Sequence, residues 1–301
     1  MSFEGSEKKV EVIFKAGLPS LRQREAFWLR VVQKSKAEVL NKISGRRCDA
    51  YLLSESSLFV YDDQMVMITC GRTSLIHAVE EILAEFSADH VELLVYERKN
   101  EVFPELQSST FEDDVARLEQ LIPGKTFYFG EKGGNQIKLF HLEKDFKPAL
   151  KDLTLEVLMH GLDPAIQPLF SSHKNSVKQL RTDTGICDIL PGFLVDDYLF
   201  EPQGYSVNAI RSHAYYTSHV TPEPECSYAS FETNLFLQDD VNRVIMDVVE
   251  IFKPREFAVV LFEPTATSRN LDLSWQPRVE EVVELDCGYR FHFYDFYNES
   301  R

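Results

Sequence analysis

A cluster of hydroxyls and one carboxylate interrupts a strand-like stretch near the start of the chain. In residues 51–61, YLLSESSLFVY, the flanking residues are apolar, aromatic or β-branched, types that fit a pleated and partly buried surface. Between them lie Ser54, Glu55, Ser56 and Ser57, with no Gly, Pro or Asn to form a tight turn. Such an interruption of a buried strand suggests a chemical role.

The Glu55–Ser56 peptide bond is the candidate reacting group. A serine hydroxyl that follows a strained peptide can attack the preceding carbonyl, which converts the amide to an ester. Removal of the serine α-proton then eliminates the acyl group, and hydrolysis of the dehydroalanine leaves a pyruvoyl group at a new amino terminus. This chemistry needs strain, a hydroxyl and a nearby base. An ordinary loop or a phosphorylation site is the alternative interpretation of the same four residues.

Composition describes an ordered, acidic, globular protein. The chain has 301 residues, 44% of them hydrophobic and 12% aromatic, enough for one large or two ordinary domains. The formal net charge of −16 argues against nucleic acid or an anionic membrane as the main partner, because both bind basic surfaces. The same charge suits a cationic substrate or effector.

The cysteines indicate a reducing compartment. They are widely spaced and contain no Cys-x-x-Cys pair, so neither a disulfide framework nor a zinc site is expected. The first residues have no apolar signal-peptide core, and no apolar run is long enough to span a bilayer. A cytoplasmic protein without a metal is predicted. The five cysteines are Cys48, Cys70, Cys187, Cys226 and Cys287.

Hydrophobic periodicity predicts many strands and a few amphipathic helices, which indicates the α+β class. Helices are predicted at residues 20–43, at 74–87 with Thr73 as the cap, and at about 240–252. The predicted strands cover residues 7–14, 49–61, 65–70, 91–98, 126–129, 137–142, 153–159, 194–200, 204–211, 214–220, 227–233, 257–262 and 289–294.

A short repeat suggests two similar halves. EKKVEVIF at residues 7–14 aligns without a gap to DLTLEVLM at 152–159, and chance similarity over one strand is the alternative. We therefore predict a single domain over 1–301, made of two pseudo-repeats at about 1–149 and 150–301. Its expected form is a four-layer αββα sandwich, in which two antiparallel sheets pack face to face with helices outside.

The repeated strands carry acids at even spacing. Glu7 and Glu11 share one face of the first strand, as do Asp152 and Glu156 on the second, because residues four apart in a strand point the same way. If the strands face each other, four carboxylates converge and need a cation. Exposure to solvent is the simpler alternative.

Seven separated motifs form a specific combination. They are FEGSEK at 3–8, YLLSESSLFV at 51–60, TCGRT at 69–73, TLEVLM at 154–159, GICDILPG at 185–192, FEPQGYSVN at 200–208 and HVTPEPECSYASFETN at 219–234. Together they resemble the eukaryotic-type S-adenosylmethionine decarboxylase proenzyme family over nearly the whole chain.

The resemblance implies self-cleavage between Glu55 and Ser56, into a β chain of residues 1–55 and an α chain of 56–301. Ser56 would become the pyruvoyl cofactor, with no metal and no pyridoxal phosphate. His219 matches the base of the elimination step, and Ser206 matches a serine needed beside it. Without the resemblance, these two residues would be a core histidine and a strand hydroxyl.

For catalysis, the resemblance implies a Schiff base between the pyruvoyl group and S-adenosylmethionine, with loss of CO2 into this electron sink. The product is the aminopropyl donor for spermidine and spermine synthesis. Cys70 matches the proton donor to the α-carbon, although a small buried hydrophobe is the commoner role for a lone cysteine. Glu4 and Glu7 match two acids that the family needs for activity.

The resemblance also assigns the substrate contacts. Phe3 and Phe200 match the rings that sandwich adenine, Glu223 matches the acid on the ribose hydroxyls, and the Glu55 backbone would meet the adenine edge. A further set matches the putrescine site of animal members, where the family often has Lys at the position of Ile68. That set comprises Glu11, Asp152, Thr154, Glu156 and Glu232. Putrescine activation and a homodimer are left open.

Two other functions share these motifs. A non-catalytic paralogue would serve as the regulatory subunit of an active decarboxylase, but Ser56, Cys70 and His219 are all retained. A pyruvoyl decarboxylase for another amino acid would not need Phe200 and Glu223.

Overall fold

The computed structural model describes residues 5–99, 101–131, 135–238, 240–267, 269, 271–273 and 275–297. These residues form two eight-stranded antiparallel sheets. The first sheet contains β1 (Lys8–Phe14), β2 (Val39–Ser44), β3 (Asp49–Leu53), β4 (Ser56–Val60), β5 (Gln64–Thr69), β6 (Val91–Lys99), β7 (Gly124–Phe129) and β8 (Ile137–Leu142). The second contains β9 (Thr154–His160), β10 (Leu194–Leu199), β11 (Tyr205–Arg211), β12 (Ala214–Thr221), β13 (Tyr228–Thr233), β14 (Glu256–Pro264), β15 (Val279–Glu284) and β16 (Tyr289–Tyr297).

Strand order is the same in both sheets. The first runs β2-β3-β4-β5-β1-β6-β8-β7, and the second runs β10-β11-β12-β13-β9-β14-β16-β15. Each half of the chain thus places its first strand in the interior of its sheet. Equivalent order in two halves is what a duplication of one unit would produce, so it supports the predicted pseudo-repeats.

Helices cover the outer faces of the sheets. They are α1 (Glu25–Lys34), α2 (Leu75–Phe86), α3 (Phe111–Leu118), α4 (Val177–Thr184) and α5 (Val241–Phe252). Buried residues of α1 to α3 share one core with Val10 and Val12 of β1, and those of α4 and α5 share another with Val157 of β9. A third core, with Leu139 and Phe291, lies between the sheets. The predicted four-layer αββα sandwich is therefore confirmed.

The predicted helix at residues 20–43 is wrong in its length. Helix α1 ends at Lys34, Lys36 takes a left-handed φ of 67°, and Val39 begins strand β2. Pairing of β2 with β3 outweighs the helical spacing of Val39 and Leu40. The predicted Thr73 cap is also wrong, because the Thr73 hydroxyl donates to the Cys70 carbonyl and Ser74 precedes α2.

Of the strands and α-helices among the described residues, β2, β15, α3 and α4 were not predicted. Helix α3 has only eight residues, too few for a clear hydrophobic period, but a capping box between Thr110 and Asp113 fixes its start. Strand β15 lies at a sheet edge, and its sequence VEEVVE carries as many acids as valines. Among the described residues, no helix is long and apolar enough to cross a membrane.

Candidate functional site

The Ser54–Glu55 turn joins β3 to β4 and holds the predicted reacting peptide in a strained form. Leu53 pairs with Ser56 across the turn, and Ser56 has a φ of 111°. Residues other than glycine rarely adopt this conformation, which costs free energy of order 1–3 kcal/mol. The N–H of Cys70 donates to the Glu55 carbonyl at 3.2 Å, and the Ser56 hydroxyl donates to Cys70 Sγ at 3.2 Å.

A cavity of about 240 Å³ opens beside this turn, between the two sheets. It brings together most of the residues predicted for processing and substrate binding. Phe3 and Glu4, predicted for the same site, lie outside the described residues. The cavity lining includes Ser54, Glu55, Ser56, Cys70, Phe200, Gln203, Ser206, His219, Thr221 and Glu223.

A carboxylate orients His219 in this cavity. Glu7 Oε1 lies 2.5 Å from His219 Nδ1 and also accepts a hydrogen bond of 2.7 Å from the Ser230 hydroxyl. This contact favours a proton on Nδ1, which leaves Nε2 as an acceptor. Nε2 lies 2.8 Å from Ser57 Oγ and 3.1 Å from Thr217 Oγ1. The base predicted for Ser56 therefore contacts the hydroxyl of the next residue.

Asn208 connects this group to the first sheet. Its Oδ1 accepts from Ser57 at 2.6 Å and from Thr217 at 3.0 Å, and its Nδ2 donates to the Tyr51 carbonyl at 3.0 Å. Two hydroxyl protons thus face two acceptors, Asn208 Oδ1 and His219 Nε2. Sequence reasoning missed Ser57, Asn208 and Thr217. Alternation was an available signal, since Asn208 follows Ser206 by two residues and Thr217 precedes His219 by two.

Burial changes the proton affinity of three groups in the cavity. It raises the pKa of Glu55 to about 7, against the nearby Lys8 charge, and raises the pKa of Cys70 well above its usual range. Burial also raises the pKa of Glu223. Oε2 of Glu55 and Oε2 of Glu223 are buried and have no hydrogen-bond partner among the described residues. Both carboxyl groups are therefore available to a ligand.

A second cluster of charges lies between β1 and β9. Lys9 Nζ is 2.8 Å from Glu156 Oε1 and 3.0 Å from Glu232 Oε1. Lys99 Nζ is 2.5 Å from Glu156 Oε2 and 2.6 Å from Glu97 Oε2. The cations expected among converging acids are thus two lysines of the chain itself.

The predicted acids divide between the two clusters. Glu11 has an electrostatic interaction with Lys9, Asp152 and Glu232, whereas Glu7 contacts His219, which lines the cavity. Asp152 accepts a hydrogen bond of 2.6 Å from the Tyr289 hydroxyl. Thr154 precedes Glu156 by two residues in β9 and shares its face.

Charge pairing in this cluster outweighs desolvation for some groups and not for others. Burial alone would lower the pKa of Lys9 and raise that of Glu156, but their pairing raises the first and lowers the second. For Glu11 burial dominates and raises the pKa to about 8 despite Lys9. Lys9 was missed by sequence reasoning, although it lies directly opposite Ile68 across β1 and β5. Lys9 thus places an ammonium group on the strand next to Ile68.

Comparison with known proteins identifies close relatives. The family model for adenosylmethionine decarboxylase matches residues 1–297. An S-adenosylmethionine decarboxylase proenzyme of Dictyostelium discoideum is 32% identical, covering 86% of this chain and 74% of its own length. The proenzyme of Xenopus laevis is 32% identical and covers 98% and 93%. Among solved structures, the Trypanosoma brucei AdoMetDC-delta26 monomer matches with a TM-score of 0.64 at 25% identity, covering 80% of this chain and 99% of that one.

Proposed function

Because the chain belongs to the adenosylmethionine decarboxylase family, we propose that it cleaves itself at Glu55–Ser56 and then decarboxylates S-adenosylmethionine. The observation that carries the proposal is the conformation of Ser56. Its strained backbone lies at a cavity in which the Cys70 N–H binds the Glu55 carbonyl and a Glu7–His219 pair is adjacent. Strain, a hydroxyl and an oxyanion donor favour the acyl shift, and a base is needed for the elimination that follows it.

Processing proceeds on groups of the chain itself. The Ser56 hydroxyl attacks the Glu55 carbonyl carbon, and the Cys70 N–H stabilises the charge that develops on the carbonyl oxygen. The hydroxyl proton passes to the Ser56 nitrogen as the C–N bond breaks, which leaves an ester on the Ser56 oxygen and a free amine, and relieves the strain at Ser56. His219, with its Nδ1 proton held by Glu7, removes the Ser56 α-proton, the Cβ–Oγ bond breaks, and the main-chain carboxylate of Glu55 leaves as the new carboxyl terminus of the 1–55 chain. Water adds to the remaining dehydroalanine and ammonia departs.

The cavity residues fit the pyruvoyl group that this reaction would leave at position 56. That group supplies an electron-withdrawing carbonyl, which reacts with the substrate amine and accepts the electron pair released with CO2. Cys70, whose thiol already contacts Ser56 Oγ, is positioned to return a proton to the α-carbon. Glu223 offers an unpartnered oxygen to the ribose hydroxyls, and Phe200 offers a ring to the adenine. The acidic lining suits a sulfonium cation.

Intact-mass spectrometry of the purified protein under denaturing conditions tests the processing step. We expect two chains, residues 1–55 and residues 56–301, the second carrying pyruvoyl instead of serine. Ser56→Ala should remain one chain, and His219→Ala should stop or slow cleavage. CO2 release from carboxyl-labelled S-adenosylmethionine then tests the substrate. An uncut wild-type chain without CO2 release would favour the non-catalytic paralogue, and CO2 release from another amino acid would favour the third function.

The putrescine site is a separate proposal. The acids that the resemblance assigns to it already surround two ammonium groups, Lys9 and Lys99, at hydrogen-bonding distance of Glu156. A diamine entering the same space would bring two more positive charges close to them. We propose that in this chain Lys9 and Lys99 supply the positive charge that putrescine would otherwise bring to these acids. Cytoplasmic location and a homodimer stay predictions from the sequence.

A putrescine dose series on the wild type and on Lys9→Met tests this proposal. The wild type should process and decarboxylate at the same rate with and without putrescine. Lys9→Met should respond, because it leaves Glu232 without its ammonium partner. Wild-type stimulation by putrescine would show that the diamine site functions despite the lysines.

A further inference from the structure

Lys8 is a buried lysine that contacts the Cys70–Gly71 turn from the outer side of the first sheet. It lies in β1 opposite Thr69, the last residue of β5, and is 3% exposed. Its ammonium group donates to the Gly71 carbonyl at 3.1 Å and to Gln107 Oε1 at 2.6 Å. Neither the strand-forming pattern nor the assigned site residues account for a buried charge at this point.

The turn that Lys8 contacts has two functions in the proposed reactions. Its Cys70 N–H binds the carbonyl of Glu55, and its Cys70 thiol contacts the Ser56 hydroxyl. Gly71 adopts a positive φ of 61°, and the Thr73 hydroxyl donates to the Cys70 carbonyl at 2.8 Å. The turn has no regular strand or helix pairing, so these side-chain contacts fix its geometry.

We propose that Lys8 is a positioning residue for both reactions, which holds the Cys70–Gly71 turn so that the Cys70 N–H and thiol face the Glu55–Ser56 peptide. The inference rests on the proposed function of Cys70. The positive charge of the Lys8 ammonium group also stabilises negative charge that develops nearby. This charge develops on the Glu55 carbonyl oxygen during processing and on the Cys70 sulfur after proton donation. Lys8 acts through Cys70 and is not itself one of the residues that line the cavity.

Charged and titratable groups from four elements interact with Lys8. They are Arg98 of β6, Glu101 after it, Asp114 of α3, and Cys70 and Glu55 beside β4 and β5. Burial, reinforced by Arg98, lowers the pKa of Lys8 to about 8 against the attraction of the acids. The ammonium form is therefore complete well below pH 8 and is lost as the pH rises through 8. Processing and decarboxylation should decline over the same range.

Lys8→Met tests the inference, because it keeps the length of the side chain and removes the charge and the donor. Lys144→Met is the matched control, since Lys144 also donates to a backbone carbonyl, that of Val91 at 2.7 Å, and neither residue lines the cavity. Loss of a charge-assisted hydrogen bond predicts at least about tenfold slower cleavage and decarboxylation for Lys8→Met. The alkaline decline near pH 8 should disappear from its rate profile. Lys144→Met should keep the wild-type rates and the wild-type profile.

Alkylation of Cys70 by iodoacetamide, followed by peptide mass spectrometry, gives a readout that needs no enzyme activity. Its rate in the uncleaved Ser56→Ala protein should change when Lys8→Met is added and should not change with Lys144→Met. Lys8→Arg, which keeps the charge to higher pH, should restore the rates and move the alkaline decline upward. If Lys8→Met folds poorly, the Arg variant alone carries the test through the position of that decline.

Two results would overturn the inference while leaving the proposed function intact. One is a Lys8→Met protein with wild-type rates and pH profile. The other is an unaltered alkaline decline in Lys8→Arg. A wild-type protein that neither cleaves nor releases CO2 would instead reject the proposed function.

Discussion

At the scale of single residues, Cys70 contributes two different groups to the site, its backbone N–H and its thiol. Its backbone N–H binds the Glu55 carbonyl, and its thiol contacts Ser56. Substitution of the side chain therefore separates the two reactions, because every residue except proline keeps the N–H. Burial raises the pKa of this thiol, so it holds its proton until a strongly basic carbon accepts it.

Cys70→Ala should cleave at a rate within a few-fold of the wild type and lose decarboxylation by at least about 100-fold, the typical contribution of a general acid. Intact mass measures the first rate and CO2 release the second. Cys287→Ala is the matched control, since Cys287 is also buried but lies in the core between the sheets and does not line the cavity. Full decarboxylation by Cys70→Ala would exclude the thiol as the proton donor.

Residues of the site that belong to sequence motifs could be predicted, whereas residues that act through distant contacts could not. Ser56, His219 and Glu223 belong to motifs, and the fold places all three on one cavity. Lys9 was missed because a lysine in a strand usually faces solvent. Its role depends on Glu156, which lies far away in sequence and opposite it in space. Contacts between halves of a chain leave no periodic signal in either half.

At the scale of elements, side chains along β1 alternate between the two faces of the first sheet and so contact two layers of the sandwich. Glu7, Lys9 and Glu11 point inward to the second sheet, whereas Lys8 and Val10 point outward. The inward charges differ in their partners. Glu7 has His219 and Lys9 has two carboxylates, but the Glu11 carboxyl group has no hydrogen bond among the described residues and lies near other acids.

Glu11→Gln should stabilise the protein at high pH. The folded pKa of about 8 exceeds the ordinary value of 4.5, so the folded state binds the extra proton between these two pH values. The loss of unfolding free energy caused by ionising Glu11 is absent below pH 4.5, grows as the pH rises and is complete above pH 8. Because the side chain is only partly buried, we expect a gain of about 2 kcal/mol at pH 9.

Urea unfolding of Ser56→Ala with and without Glu11→Gln, at pH 5 and pH 9, measures this difference. The background variant prevents cleavage from complicating the unfolding curve. Glu119→Gln, at an exposed position, is the control and should change stability little at either pH. An equal gain from Glu11→Gln at both pH values would mean that its ionisation is not the cause.

Long elements with a clear period were predicted better than short ones. Helices α2 and α5 were predicted within one or two residues, because each carries six or seven buried apolar side chains at helical spacing. The segment after α1 has the same spacing, yet Val39 joins a strand. Pairing of β2 with β3 makes this segment a strand, and the local hydrophobic pattern gives no information on pairing.

At the scale of the whole molecule, the expected cut at Glu55–Ser56 divides a sheet without separating its parts. The 1–55 chain would supply β1, β2 and β3, and the 56–301 chain would supply the other strands. Strand β1 lies between β5 and β6, and β3 pairs with β4. The short chain is therefore held by three strand interfaces and by the Lys9–Glu156 pair with the second sheet.

The cleaved protein should behave as one particle under native conditions. Size-exclusion chromatography of the wild type and of uncut Ser56→Ala should give the same elution volume, with both wild-type chains in one peak. Separation should need a denaturant. Elution of the short chain on its own in native buffer would contradict the strand order described for the first sheet.

The interior position of β1 also changes the kinetics of refolding. Before the cut, β1 reaches its place between β5 and β6 by a reaction within one chain, at a rate independent of protein concentration. After the cut, the same step requires two separate chains to meet, so it becomes second order and slows on dilution. Maturation thus raises the molecularity of folding from one to two while the strand order stays the same.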